Sequence, residues 1–228
     1  MTLFVDNLTD ERPELFINNQ DGTFSEVVDQ SMAELSMGSM GADIADLDND
    51  GWLDLFVTNS DGIKKNKLFR NMGDGTFEEI TTGIIVLDNH ASRSVDWIDY
   101  DNDRDLDMFI AKCGGETARR TNQMHTNNGK YEEDNTIISY TENATEIGLA
   151  DPMQTWSSAW GDFDNDGDMD VFVGASSGSH KLMRNNDGVF EDITATSGVS
   201  TLTATGIENA TYDFDNDGNL DIASNGNI

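Results

Sequence analysis

Four stretches of the chain carry aspartates at one spacing. With the first acid counted as position 1, carboxylates fall at positions 1, 3, 5 and 9, which in the first copy are Asp46, Asp48, Asp50 and Asp54. The other copies begin at Asp99, Asp162 and Asp213. In a turning loop, alternate residues point toward one centre, so this spacing gathers hard oxygen donors around a point. Glycine at position 6 in three copies (Gly51, Gly167, Gly218) lets the backbone bend sharply, and a carbonyl near position 7 adds another oxygen. Such a cage suits calcium better than zinc or copper. Two carboxylates about 5 Å apart repel by roughly 3 kcal/mol at an effective dielectric of 20. A divalent cation at the centre turns that repulsion into attraction.

An EF-hand opens the same way but requires an acid at position 12 and flanking helices. Position 12 here is Val57, Ile110, Val173 or Ser224, and the acid at position 9 runs straight into an apolar segment. The spacing therefore predicts a calcium loop that feeds a strand. One copy departs: Arg104 stands at position 6 of the second loop. A non-glycine residue at positive φ costs on the order of 1 kcal/mol, and the arginine adds positive charge. The loop from Asp99 to Asp107 is expected to bind most weakly of the four.

The elements that must hold these loops repeat with them. The loop starts are separated by 53, 63 and 51 residues. A second motif alternates with the first: "LFINNQDGTF" at Leu15, "LFRNMGDGTF" at Leu68, "MHTNNGKYEE" at Met124 and "LMRNNDGVFE" at Leu182. Two motifs on one period mark an array of a single supersecondary unit. The runs after each loop, "LDLFVTN", "LDMFIAK" and "MDVFVGA", are short and rich in Val, Phe and Leu, as strands are. Asp-Gly before Thr23 and Thr76, and again before Val189, predicts tight hairpin turns. Each period then holds about four strands, the content of a propeller blade. The expected fold is all-β, with approximate repeats 1–37 (partial), 38–90, 91–152, 153–200 and 201–228 (partial) in one domain spanning 1–228. The stretch Gly114–Pro152 lengthens the second period and contains the basic pair Arg119 and Arg120; it reads as a tolerated surface loop, with an insertion that forms a binding face as the alternative.

Composition narrows the function classes. The 44 acidic residues against 13 basic ones give a formal charge of −31. Nucleic-acid binding through phosphates rests on basic residues and is not expected, and anionic membrane surfaces would repel the chain. No apolar run approaches the length of a membrane helix. No signal peptide is visible at the first residues. Cys113 is the only cysteine and reads as a small core residue, so neither a disulfide framework nor a cysteine zinc site is available. No catalytic constellation stands out. His90, His125 and His180 sit in polar, loop-like sequence, and no serine occupies a nucleophile elbow. Trp97, Trp156 and Trp160 precede aspartate loops, in first-strand positions, and read as blade-packing residues, with a carbohydrate platform as the alternative.

The D-x-D-x-D-G-x-x-D loop coupled to "LFRNMGDGTFEEIT" and its relatives resembles the FG-GAP, or VCBS-type, repeats of integrin-α-like β-propellers. The resemblance covers nearly the whole chain. It implies a calcium ion in the loop between the first two strands of each blade, up to four in all. The ligands it implies are Asp46, Asp48, Asp50 and Asp54; Asp99, Asp101, Asp103 and Asp107; Asp162, Asp164, Asp166 and Asp170; and Asp213, Asp215, Asp217 and Asp221. Trp52, Asp105, Asp168 and Asn219 would offer backbone carbonyls. Family propellers usually have seven blades, whereas about four periods are present. The chain is expected to be a fragment of a longer ring, or a small ring whose two ends share one blade. An incomplete ring would leave strand edges open to edge-to-edge association.

The function expected from these features is a calcium-binding scaffold, outside the cell or on its surface, for recognition of a protein or glycan ligand in adhesion. The competing expectation is the propeller part of a secreted carbohydrate-active enzyme, a polysaccharide lyase or hydrolase.

Overall fold

The structure, a computed structural model, describes residues 2–5, 14–27, 39–59, 65–87, 91–131, 138–176, 178–199 and 208–224. The first sheet consists of β1 (Thr2–Val5), β2 (Glu14–Asn18) and β3 (Phe24–Val27). Three four-stranded antiparallel sheets follow. One holds β4 (Ser39–Ala45), β5 (Asp54–Asn59), β6 (Lys67–Asn71) and β7 (Phe77–Ile80), with α1 (Ile84–Leu87) after it. The next holds β8 (Ser92–Ile98), β9 (Asp107–Lys112), β10 (Gln123–Tyr131) and β11 (Ile138–Glu142). In that sheet α2 (Thr117–Arg120) precedes β10 and α3 (Ala144–Ile147) follows β11. The third holds β12 (Thr155–Gly161), β13 (Asp170–Ala175), β14 (Lys181–Asn186) and β15 (Val189–Asp192), followed by α4 (Thr194–Ser197). The last sheet pairs β16 (Asn209–Tyr212) with β17 (Asp221–Ser224). Neighbours in sequence are neighbours in every sheet, as in the meander of a propeller blade. Among the described residues no ladder joins the first sheet to the last.

The second strand of each full blade is buried at every position: Asp54–Asn59, Asp107–Lys112 and Asp170–Ala175. A strand covered on both faces needs an unbroken apolar run rather than alternation, which is the pattern these segments have. The core accordingly lies between blades. Phe56 and Leu68 of one blade pack with Val95, Met108 and Tyr140 of the next. Phe109 and Met124 pack with Val171, Met183 and Phe190. The tryptophans of the first strands fill these seams. Trp97 meets Phe56 edge-on at 6.0 Å, and Trp160 meets Phe109 at 5.4 Å and Phe190 at 6.0 Å. Edge-to-face pairs at such separations add about 0.5–1.5 kcal/mol beyond their buried area.

First strands also run close to one another. A Cβ on Gly41 would sit 2.7 Å from the Arg93 carbonyl oxygen of the next blade, so only glycine fits there. Polar ties lock the sequence of blades: the Trp97 amide donates to Asp43 Oδ2 at 3.2 Å, and Ser158 Oγ donates to Asp96.

Two expectations need correction. Gly114–Pro152 is not a surface loop, because it contains α2, β10, β11 and α3, and Met124, Ile138 and Tyr140 within it are buried. The extra residues are distributed around two blade strands, and the irregular register between Asn127 and Tyr131 weakened the strand signal in the sequence. His125 is not a loop residue but lies on β10, and His180, which does lie in the connection before β14, is not at the surface: each is 1% exposed, and His180 Nδ1 accepts the Ala175 amide at 3.0 Å. His90 lies outside the described residues. Cys113 is buried, and the Arg93 Nε–H points at its sulfur over 3.1 Å.

Candidate metal centre

All four aspartate loops join the first strand of a blade to the second. Each winds in the same way. Position 4 is an asparagine in the left-handed region, with φ of 57° at Asn49, 61° at Asn102, 60° at Asn165 and 59° at Asn216. Asparagine tolerates that region better than most residues. Position 6 is also left-handed, at φ 91° in Gly51, 100° in Gly167 and 91° in Gly218. Arg104 holds φ 76° at the equivalent point of the second loop, so the strain expected there is present.

The acid at position 1 organises the turn. Asp46, Asp162 and Asp213 each accept the position 5 amide on one oxygen at 3.0 Å. Their other oxygens accept the position 6 amide at 2.9–3.0 Å. In the second loop only the Arg104 amide reaches Asp99, at 3.1 Å; Asp99 Oδ1 is buried without a hydrogen-bond partner. The acid at position 5 accepts the position 7 amide in every loop: Trp52 to Asp50, Asp105 to Asp103, Asp168 to Asp166 and Asn219 to Asp217, at 2.8–3.0 Å.

The closing acid at position 9 joins the loop to the second motif. One oxygen of Asp54, Asp107 or Asp170 accepts the amide of Leu47, Tyr100 or Phe163 within its own loop, at 3.0–3.3 Å. The other accepts the amide of Asn71, Asn127 or Asn185 on the third strand, at 2.7–2.8 Å. The side chains of those asparagines return bonds to the loop, for example Asn185 Nδ2 to the Met169 carbonyl at 3.2 Å. Asn185 also reaches the Tyr100 carbonyl of the preceding blade's loop at 2.7 Å. The asparagine of "LFRN", "HTNN" and "MRNN" is thus the partner of the closing aspartate. The sequence displays it in all four copies of the motif, Asn18 included, but its role depends on a register of strands that spacing alone does not give.

Loops also contact one another. Asn102 Nδ2 donates to Asp168 Oδ1 at 2.8 Å, and Asn165 Nδ2 donates to Asn219 Oδ1 at 3.2 Å. Each bond runs from position 4 of one loop to position 7 of the next.

Carboxylate oxygens converge in all four loops. Within 4.8 Å of one another lie Asp46, Asp48 and Asp50; Asp99, Asp101 and Asp107; Asp162, Asp164 and Asp170; and Asp213, Asp215 and Asp221. The structure gathers positions 1, 3 and 9 in three loops and 1, 3 and 5 in the first. Asp103, Asp166, Asp217 and Asp54, the remaining expected acids, stand outside these triads. Burial is the main cause that lifts Asp107 to about 8 and Asp54 to about 6, each held partly back by two backbone amides and pushed further by neighbouring aspartates. Asp170 and Asp101 are raised too, again chiefly by burial. These are groups short of positive charge. An all-oxygen donor set, an orphaned buried oxygen on Asp99 and carboxyls crowded into one another fit a hard divalent cation. Position 1, 3 and 9 acids, with the position 5 acid and the position 7 carbonyl nearby in sequence, are the residues that would hold it.

Comparison with known proteins agrees with this geometry. The model of the FG-GAP-like repeat matches residues 3–57, 46–110 and 162–224. The chain is similar to cartilage acidic protein 1 of Xenopus tropicalis, at 29% identity over 86% of this chain and 30% of that protein. It is also similar to human cartilage acidic protein 1, at 28% identity over 81% of this chain and 28% of that protein. The chain therefore spans less than a third of the length of these relatives. A loop-and-strand unit repeated through successive antiparallel sheets, with matches over most of the residues, establishes that the chain belongs to the FG-GAP-like repeat family.

Proposed function

We propose that this chain is a calcium-stabilised repeat module that serves outside the cell, or on its surface, as a scaffold for recognition of a protein or glycan. The observation that carries the reading is the fourfold convergence of carboxylate oxygens within 4.8 Å in loops of one design. Sites of this openness suit the millimolar calcium found outside cells, where dissociation constants of ~10⁻⁴–10⁻³ M suffice for occupancy. The relatives are named for cartilage and for their acidity; this chain shares the acidity, at −31. Four calcium ions would still leave it strongly negative, so its partners would meet an acidic surface. Among the described residues no helix is long and apolar enough to cross a membrane.

Equilibrium dialysis or calorimetry with calcium tests the metal part of the reading, with up to four ions per chain expected and none contradicting it. Screening the calcium-loaded protein against glycan and matrix-protein arrays tests the scaffold part.

A further inference from the structure

Among the described residues, the first loop differs from the others by an ion pair between its acids and a guanidinium from the blade's third strand. Arg70, on β6, directs its guanidinium into the loop, where it pairs with Asp48 and lies 3.7 Å from Asp50 Oδ2. The Asp48 side chain is only 8% exposed. Apolar side chains of Leu47, Leu68, Ile80 and Ile138 wall the same small cavity, which strengthens a charge pair relative to one in open water.

Strand registers identify the equivalents of Arg70. Phe69 opposes Leu55, His125 opposes Met108 and Met183 opposes Val171, so the next residues, Arg70, Thr126 and Arg184, correspond. Thr126 carries no charge and shares a 2.8 Å hydrogen bond with Tyr100 Oη. Arg184 pairs with Glu191 across the β14–β15 hairpin at 2.7 Å. Arg70 has the same option, because Glu78 opposes it in the β6–β7 register, as Glu191 opposes Arg184. Two corresponding arginines with the same cross-strand partner thus adopt two positions. The loop that receives an arginine is also the one whose converging acids are at positions 1, 3 and 5 rather than 1, 3 and 9.

Building on the calcium reading above, we propose that Arg70 is an internal competitor for the first loop. Calcium enters that loop only as Arg70 swings out to Glu78, the position that Arg184 already holds against Glu191. The first loop then holds a cation in either state and responds to calcium at higher concentration than the third.

Terbium, a luminescent stand-in for calcium, reads this loop through the emission that is lost in Trp52→Phe, because Trp97 and Trp160 stand two residues before the second and third loops and sensitise ions bound there. Trp52 at position 7 is the only tryptophan within the four loops, where the others have Asp105, Asp168 and Asn219. That share of the emission, titrated with terbium and then competed with calcium, gives the affinity of the first loop in the full chain. Arg70→Gln should raise it by roughly three- to tenfold, the range of a modest ion pair. Glu78→Gln, at an exposed position that should not disturb folding, should lower it by removing the place the arginine goes. Arg184→Gln should leave it unchanged. An unchanged or weakened first loop in Arg70→Gln, with the total ion count intact, overturns the competitor and leaves the calcium reading standing. If Arg70→Gln does not fold, an unchanged affinity in Glu78→Gln overturns it equally. Absence of lanthanide and calcium binding at every loop in the wild-type chain removes the calcium reading and the competitor together.

Discussion

The second and fourth aspartate loops have the same acids at positions 1, 3 and 9 converging within 4.8 Å, yet they sit in different settings. Asp107 closes the second loop at 0% exposure, its two oxygens fastened to the amides of Tyr100 and Asn127. Asp221 closes the fourth loop exposed, holding only the Phe214 amide at 2.9 Å, and among the described residues no third strand follows β17. The donor set of an FG-GAP-like loop is therefore written in nine residues, but its burial comes from the asparagine-bearing strand of the second motif. That strand explains why the two motifs share a period: one supplies the carboxylate, the other the amide that clamps it.

The largest effect should come from cutting this clamp where it is buried. With chelator present, so that no ion contributes, Asp107→Ala should cost about 3 kcal/mol in urea unfolding, since it strands two amides away from water. Asp221→Ala should stay within about 1 kcal/mol. Equal losses would dissolve the contrast. Next in size is Asn185→Ala. Asn185 is fully buried and bonds Tyr100 and Met169 carbonyls and the Gly188 amide, so about 2 kcal/mol should be lost.

The pH dependence sharpens the same comparison. Asp107 is lifted to about 8 and Asp54 to about 6, against about 3.9 for an unfolded aspartate. The folded state then binds protons more tightly than the unfolded one. In chelator, the contribution of these two groups to stability should be fullest below about pH 4 and should be lost as pH rises through 6 to 8. Calcium should flatten this fall, because it favours the ionised carboxylates. The Asp107→Asn variant should show a shallower fall in chelator than the wild-type chain. The smallest effect is expected at Arg104. Replacing it by glycine relieves a left-handed backbone that is present without any ion, so about 1 kcal/mol should be gained in urea unfolding.

Much of this was legible in the residues. Aspartate spacing located all four loops, the apolar runs after them located the second strands, and Trp97 and Trp160 read as blade-packing residues on first strands, where they pack. Local pattern suffices for these because the loop is built from consecutive residues and the strand is buried on both faces. What escaped depends on register. Asn71, Asn127 and Asn185 find their aspartates only after strands pair, and the Asn102–Asp168 bond spans two blades. His125 sits among polar residues in "MHTNN" but is buried because β10 is an interior strand. Position 4 was the available clue that went unread: an asparagine in all four loops, each with positive φ.

The central claim is that a divalent cation holds the aspartate loops in their shape. Thermal unfolding of the chain, followed at one pH in millimolar calcium and again in excess chelator, tests it directly. A clear rise in melting temperature with calcium, saturating and reversed by the chelator, is the predicted result. Identical melting in the two conditions would contradict it.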